Sequence, residues 1–171
     1  MVSGRLGWVL IPDNQTIKAS QKLARTFKIP AEYFVNKAHI SLFHGTFDDI
    51  SEELIKETLK HLSVLKGKVF RLKRISSFAN NFLFWDVEKP YPELQKAHEY
   101  VMSQYEGLVS KGNEAYPLVH KFFRPHITLI YSSKGIDFVS EKFWELSIKK
   151  AQLTTISKGK GTISKVLYTT S

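Results

Sequence analysis

Two hexapeptides in the chain, KAHISL at residues 37–42 and RPHITL at residues 124–129, carry one arrangement: a basic residue, a spacer, His, Ile, a hydroxyl residue and Leu. On an extended strand residues i and i+2 share a face. His39 and Ser41 therefore point one way, and Ile40 and Leu42 the other. In the second copy His126 and Thr128 share a face, with Ile127 and Leu129 behind. The apolar pairs pin the strands to a core, and the polar pairs look into whatever the two strands enclose. Two imidazoles facing one cleft suit general acid–base catalysis, because each titrates near neutrality and one can accept a proton while the other donates. A well-placed pair contributes about 10²–10⁴-fold per group. The hydroxyls of Ser41 and Thr128 suit the non-bridging oxygens of a phosphodiester, where charge builds in the transition state. Lys37 and Arg124, on the same parity, add cationic stabilisation of that phosphate. Neither motif holds a carboxylate, and a hydroxyl at i+2 is a poor zinc ligand. The expectation is metal-independent chemistry with no cofactor.

Composition is consistent with such a substrate. The 171 residues carry a formal charge of +9 and a pI near 9.6. From Lys60 to Trp85 there are six Lys or Arg and no acid, and from Leu146 to Ser171 five lysines and no acid. That balance favours anionic partners such as RNA termini, oligonucleotides or cyclic nucleotides. Hydrophobic residues make up 43% and aromatics 13%, enough for a core. No apolar run approaches membrane-spanning length. The N-terminal apolar stretch is too short for a signal segment and ends in a turn signal. The absence of cysteine excludes disulfides and thiolate chemistry. These features suit a cytoplasmic monomer with no membrane partner.

The elements that must position the motifs form a repeat. GWVLIP (7–12) reads as a buried strand, and Asp13 or Asn14 caps a helix through Phe27. AHISLFHG follows as a strand. Asp49 and Glu52 resemble a capping box before a helix carrying Leu54, Thr58, Leu62 and Leu65, with Gly67 at its left-handed end. KVFRLKRISSF and FLFWDVE flank Asn80-Asn81 as a hairpin. The second half repeats the order. The strand FLFWDVE leads to a helix opening at Pro92 and stopping at Gly112, then to the strand HITLIYS. A shorter helix around Phe138–Leu146 and a terminal hairpin turning at KGKG end the chain. The fold class is α+β: a duplicated two-lobed β-α-β fold, with antiparallel sheets lining a central cleft and helices outside. It is a single domain over residues 1–171, with pseudo-symmetric lobes roughly 1–78 and 79–171.

The paired motifs resemble those of the two-histidine (2H) phosphoesterase superfamily, which includes RNA 2',3'-cyclic phosphodiesterases and the 2'-5' RNA ligases. FRPHITL matches the family's second motif closely. The first copy has Ser where Thr is commoner and Ala38 where Pro often stands. The resemblance implies that His39 and His126 are the acid–base pair, and that Ser41 and Thr128 bind phosphate. It implies a phosphodiesterase acting on 2',3'-cyclic phosphates or 2'-5' linkages. The rivals are a hydrolase of cyclic di- or oligonucleotide signals and an RNA- or nucleotide-binding module without catalysis. An RNA-recognition-motif domain is disfavoured, since no strand begins Lys/Arg-Gly-aromatic.

Strand parity places Phe43 on the His39 face, as a cleft wall for a base, with Ile130 as its counterpart. Tyr33 and Phe123 are further stacking candidates, with Phe34, Tyr116 and Phe122 flanking them. The same parity sends His44 and Tyr131 behind the sheet. His61 and His98 read as structural residues on helices, and His120 as a residue of the loop before the second motif. SKGKGTISK reads as a solvated hairpin turn.

Overall fold

The structure, a computed structural model, describes residues 1–78, 82–110, 119–132, 139–157 and 162–171. Along the chain run β1 (Val2–Pro12), α1 (Asn14–Ala24), β2 (Ile40–Ile50), α2 (Glu52–Leu62), β3 (Val69–Phe78), β4 (Phe82–Val87), α3 (Pro92–Tyr105), β5 (His126–Ile130), β6 (Val139–Ile156) and β7 (Ile163–Thr169). The strands lie in the order β1-β2-β5-β4-β3-β6-β7, and every pairing is antiparallel. This is the α+β architecture expected.

β6 also pairs with β1, so the sheet closes on itself through one long strand. Its first part pairs with β3, from Ser76↔Val139 to Val69↔Ser147. Its second part pairs with β1, from Pro12↔Ile148 to Leu6↔Thr155. β3 of the first half thus sits beside β4, and β6–β7 of the second half beside β1.

Alternation sets the layers. Leu6, Trp8 and Leu10 of β1 join Ile40 and Leu42 of β2 and Leu83, Trp85 and Val87 of β4 in one core, which the helices cover with Ile55, Leu62, Leu94, Val101 and Tyr105. Trp8, Phe47 and Tyr105 meet edge-on inside it, the arrangement that ring quadrupoles favour. Caps begin α1 and α2 where short polar side chains stand. Asp13 accepts from Thr16 N at 2.8 Å, and Ser51 accepts from Leu54 N at 3.2 Å. The α2 cap is therefore Ser51 rather than Asp49, because β2 keeps residue 49 extended in its ladder. Gly67 takes φ +79°, the left-handed conformation that a side chain resists.

One expected element is replaced. No helix forms around Phe138–Leu146: residues 139–146 belong to β6, and Phe138 lies outside the described residues. Trp144, Leu146 and Ile148 recur at every second position with Glu145 exposed between them, and β3 supplies a continuous ladder. Period 2 wins over a short helical pattern. Both hairpins form at their bases, Phe78↔Phe82 and Ile156↔Ile163. Their turns, with Asn80-Asn81 and KGKG, lie outside the described residues, as do Gly112 and Tyr116. α3 ends at Tyr105 and passes into a 3-10 turn over Glu106–Leu108.

Candidate active site

β2 and β5 meet at the pair Ile40↔Ile127, both buried in the core. Continuing that antiparallel register one residue each way sets Ser41 opposite His126, and His39, which just precedes β2, opposite Thr128. The four polar residues thus occupy one patch of the face away from the helices, related by a pseudo-twofold through the isoleucine pair. Opposed side chains on such a ladder are about 4.5–5.5 Å apart at Cβ, and diagonal ones, such as the two histidines, roughly 7–8 Å. His39 and His126 are only 5% and 7% exposed, while Ser41 and Thr128 are half-buried.

Each ring is fixed by the backbone two residues before it. His39 Nδ1 lies 2.7 Å from Lys37 O, and His126 Nδ1 lies 2.7 Å from Arg124 O. A carbonyl only accepts, so Nδ1 carries the hydrogen in both rings. In the neutral rings Nε2 is then the nitrogen with the free lone pair. The two copies present the same atom by the same device.

Just beyond the hydroxyls the regular alternation breaks, again identically. Val9 pairs with Ser41 but Trp8 with Phe43, leaving Leu42 as an extra residue. Phe84 pairs with Thr128 but Leu83 with Ile130, leaving Leu129 extra. Each is a β-bulge, which inserts one residue and re-aims those that follow. Phe43 is accordingly 0% exposed and packed edge-on to Phe47 in the core, as Ile130 is packed in the core. Phe43 is not a cleft wall; two consecutive residues, Leu42 and Phe43, point inward. His44 comes onto the face of the two histidines instead, opposite Gly7 of β1 and close enough to His39 and His126 for their charges to oppose its own protonation.

The basic residues before the motifs differ in their engagement. Lys37 is exposed, with Nζ 3.4 Å from Ser164 O of β7. Arg124 is gripped: Nε donates to Asp86 Oδ1 at 2.8 Å and Nη2 to Asp86 Oδ2 at 2.6 Å, while Nη2 also donates to Ser76 Oγ. Ser76 Oγ donates to Asp86 Oδ2 at 2.7 Å, and Arg74 Nε stands 3.8 Å from the same oxygen. Arg124 is thus held in an ionic cluster one strand from His126, a pre-oriented cation rather than a loose one. Sequence reasoning missed Asp86 and Ser76. The signal for Asp86 was in FLFWDV, where Leu83, Trp85 and Val87 alternate inward and the intervening parity holds Phe84 and an acid.

Of the stacking candidates, Tyr33 is half-buried and edge-on to Tyr131. Phe123 is buried, its ring stacked on His98 at 4.1 Å and 7°. A helix thereby claims the ring that was expected to receive a base. Phe84 fills such a position beside a histidine, stacked on His126 at 4.0 Å.

His98, on α3, ties the two motif regions together. Its Nδ1 lies 2.7 Å from Leu42 O, the bulge residue of the first motif. Its Nε2 accepts the backbone N–H of His120 at 2.8 Å. His120 holds φ at 51° at the turn that leads into Arg124 and His126, and its own Nε2 reaches Glu106 at 3.2 Å. Both nitrogens of His98 are committed in one tautomer, so a second proton has no place on Nε2.

Burial favours the neutral imidazole at His39, His44, His98 and His126. Burial lowers the His39 pKa, against the Lys37 carbonyl, which raises it. Burial likewise brings His126 down to about 4; the Arg124 carbonyl and Asp86 pull upward, and Arg124 and His39 add to the depression. His44 falls to about 4 through burial, then Arg5, His39 and His126. His98 is lowered chiefly by burial. Among the described residues no group of three or more His, Asp or Glu could hold a metal ion.

A closed antiparallel sheet carrying two bulged H-I-[ST]-L strands about a pseudo-twofold defines a paired-histidine phosphoesterase fold. Residues 12–157 match the sequence profile of the 2'-5' RNA ligase superfamily, and the chain belongs to that family. Membership makes a phosphodiesterase-type function the coarse conclusion. No curated protein matches significantly in sequence. Solved structures do match in fold. TT0787 of Thermus thermophilus superposes with a TM-score of 0.66 at 16% identity, covering 97% of this chain and 96% of that one. E. coli LigT complexed with NADP+ gives 0.66 at 16% identity, covering 98% and 97%. E. coli LigT complexed with 3'-AMP gives 0.61 at 17% identity, covering 98% and 97%. At these identities the likeness is one of fold.

Proposed function

We propose that the protein is a phosphodiesterase acting on 2',3'-cyclic phosphates or 2'-5' linkages of RNA or oligonucleotides, with His39 and His126 as its acid–base pair. The observation that carries this reading is the identical presentation of two Nε2 atoms, each with its Nδ1–H tied to a carbonyl two residues back. A phosphodiester anion between them favours one imidazolium, offsetting the burial that keeps both rings neutral in the free protein. On a cyclic phosphate, the neutral Nε2 takes a proton from water as the water oxygen bonds to phosphorus. The P–O bond to the ribose breaks, and the imidazolium protonates the departing oxygen. On a 2'-5' linkage the ribose 3'-hydroxyl replaces water and the 5'-oxygen departs. Ser41 and Thr128 donate to the non-bridging oxygens. Lys37 and the fixed Arg124 add positive charge at the two ends of the patch.

The test uses wild type, His39→Ala and His126→Ala in EDTA with 2',3'-cyclic nucleotides, 2'-5' and 3'-5' oligoadenylates and cyclic dinucleotides, the products being resolved by chromatography. Turnover of the first two classes is expected, with each variant reduced about 10²–10⁴-fold. Turnover confined to cyclic dinucleotides reassigns the substrate to a cyclic signal. Retained nucleotide binding without any turnover makes the protein a binding module.

A further inference from the structure

A groove of about 680 Å³ opens beside the histidine patch, between β3, β4 and the turn before β5. It lies along one row of the sheet. His126 pairs with Asp86, Asp86 with Arg74, and Arg74 with Glu141. Paired residues share a face, so Arg74 stands two strand widths, about 10 Å, from His126 on the catalytic side. The groove lining holds five basic residues and three acidic ones. The Asp86 carboxylate fixes Arg124 on the groove floor and forms a looser ion pair with Arg74 at 3.8 Å. Lys89 and Lys121 join no ion pair among the described residues. Phe122, next to the buried Phe123, is 62% exposed, with Lys121 Nζ 5.1 Å from its ring centroid. An exposed ring among unpaired cations, continuous with a phosphate-directed site, is the composition of a single-stranded nucleic-acid platform. Another polar groove, lined by Asp13, Glu145 and Lys149, has the opposite balance of charge.

We propose that this groove binds the oligoribonucleotide strand beyond the reacting phosphate. The next base stacks on Phe122, and the backbone phosphates lie against Lys89, Lys121, Arg74 and the fixed Arg124. The inference rests on the proposed phosphodiesterase reading and extends it: the preferred substrate is an RNA end, not a free cyclic mononucleotide.

The test compares wild type, Phe122→Ala and Lys121→Ala on 2',3'-cyclic AMP and on an oligoadenylate ending in a 2',3'-cyclic phosphate. Phe122→Ala is expected to lower kcat/KM for the oligonucleotide roughly ten- to hundredfold, the range of one lost stacking contact, and to leave 2',3'-cyclic AMP within about twofold. Lys121→Ala is expected to weaken the oligonucleotide less and to reduce the salt dependence by about one unit of slope. Equal effects on both substrates, or none on either, overturn the proposal. If wild type turns over neither substrate, the catalytic reading fails, and fluorescence anisotropy of a labelled oligoadenylate decides the groove by itself. A roughly tenfold weaker Kd in Phe122→Ala upholds it; an unchanged Kd overturns it.

Discussion

His39 and His126 hold the same hydrogen-bond posture, yet one stands among potential cations and the other beside an acid. Both rings hang from the carbonyl two residues back, both precede a hydroxyl at i+2, and both strands bulge at the following leucine. Around His39 lie His44 and, past it, Arg5, whose charge opposes protonation of His44. Around His126 lie the Phe84 ring and Asp86, the latter clamped to Arg124 and Ser76. What the two halves share resides in the backbone: tautomer, facing and phase. What distinguishes them resides in side chains on neighbouring strands. The scaffold is symmetric about the isoleucine pair, and the electrostatic inequality between the two histidines comes from β1 on one side and β3–β4 on the other.

That division can be broken at several places. The largest expected effect lies in the shared part: Ser41→Ala and Thr128→Ala should each lower kcat about 10²–10³-fold, as loss of one charge-stabilising donor does. Steady-state kinetics showing a large loss in only one of them would make the phosphate grip one-sided. The next lies in the unshared part. Asp86→Asn leaves Arg124 beside a neutral amide, at a cost of about 2 kcal/mol once the partial exposure of the arginine is allowed for. For a chain of this size that is roughly 4–8 °C in Tm by calorimetry. Arg5→Gln, its nearest analogue in the first half, should change stability by less than about 0.5 kcal/mol. Equal losses would mean that the first half hides an ionic cluster of its own.

A smaller effect than that of Asp86→Asn concerns acid. Buried neutral histidines take up protons more readily once unfolded. Their stabilisation is therefore complete above pH 6.5 and drains away as pH falls from 6.5 toward their folded values, about 4 for His44 and His126. Tm should decline over that window. His44→Gln, which removes one such group, should flatten the decline by roughly 1–2 kcal/mol at pH 5. An unchanged slope in that variant would place His44 outside the set.

Much of this was legible in the chain. The repeated hexapeptide, the shared face of each His and its hydroxyl, the Asp13 cap and the left-handed Gly67 all follow from local rules that the fold obeys. The failures have one physical origin: local rules stop at a pairing partner. Counting alternation from His39 sends Phe43 into the cleft and His44 behind the sheet. The count crosses Leu42, whose bulge exists only because of how β1 lies against it. Residues 139–146 became strand because β3 offered a ladder. Phe123 left the stacking set because α3 brought His98 to it. The Asp86 cluster joins residues from β3, β4 and the turn before β5, so only the polarity of a single position in FLFWDV announced it.

The paired bulges bear on how this chain tolerates changes of length. A strand is read in a frame of two, one residue inward and one outward, and a single insertion or deletion shifts every later side chain to the wrong face. Leu42 and Leu129 each sit where the frame has already slipped by one, with two successive residues facing inward. Removing either leucine restores strict alternation and leaves His44 and the histidine patch on their own face, at the expense of core volume and of the carbonyl each leucine offers, Leu42 O to His98 and Leu129 O to Val35 N. In both motif strands that is the position where the chain can lose a letter and keep its sense.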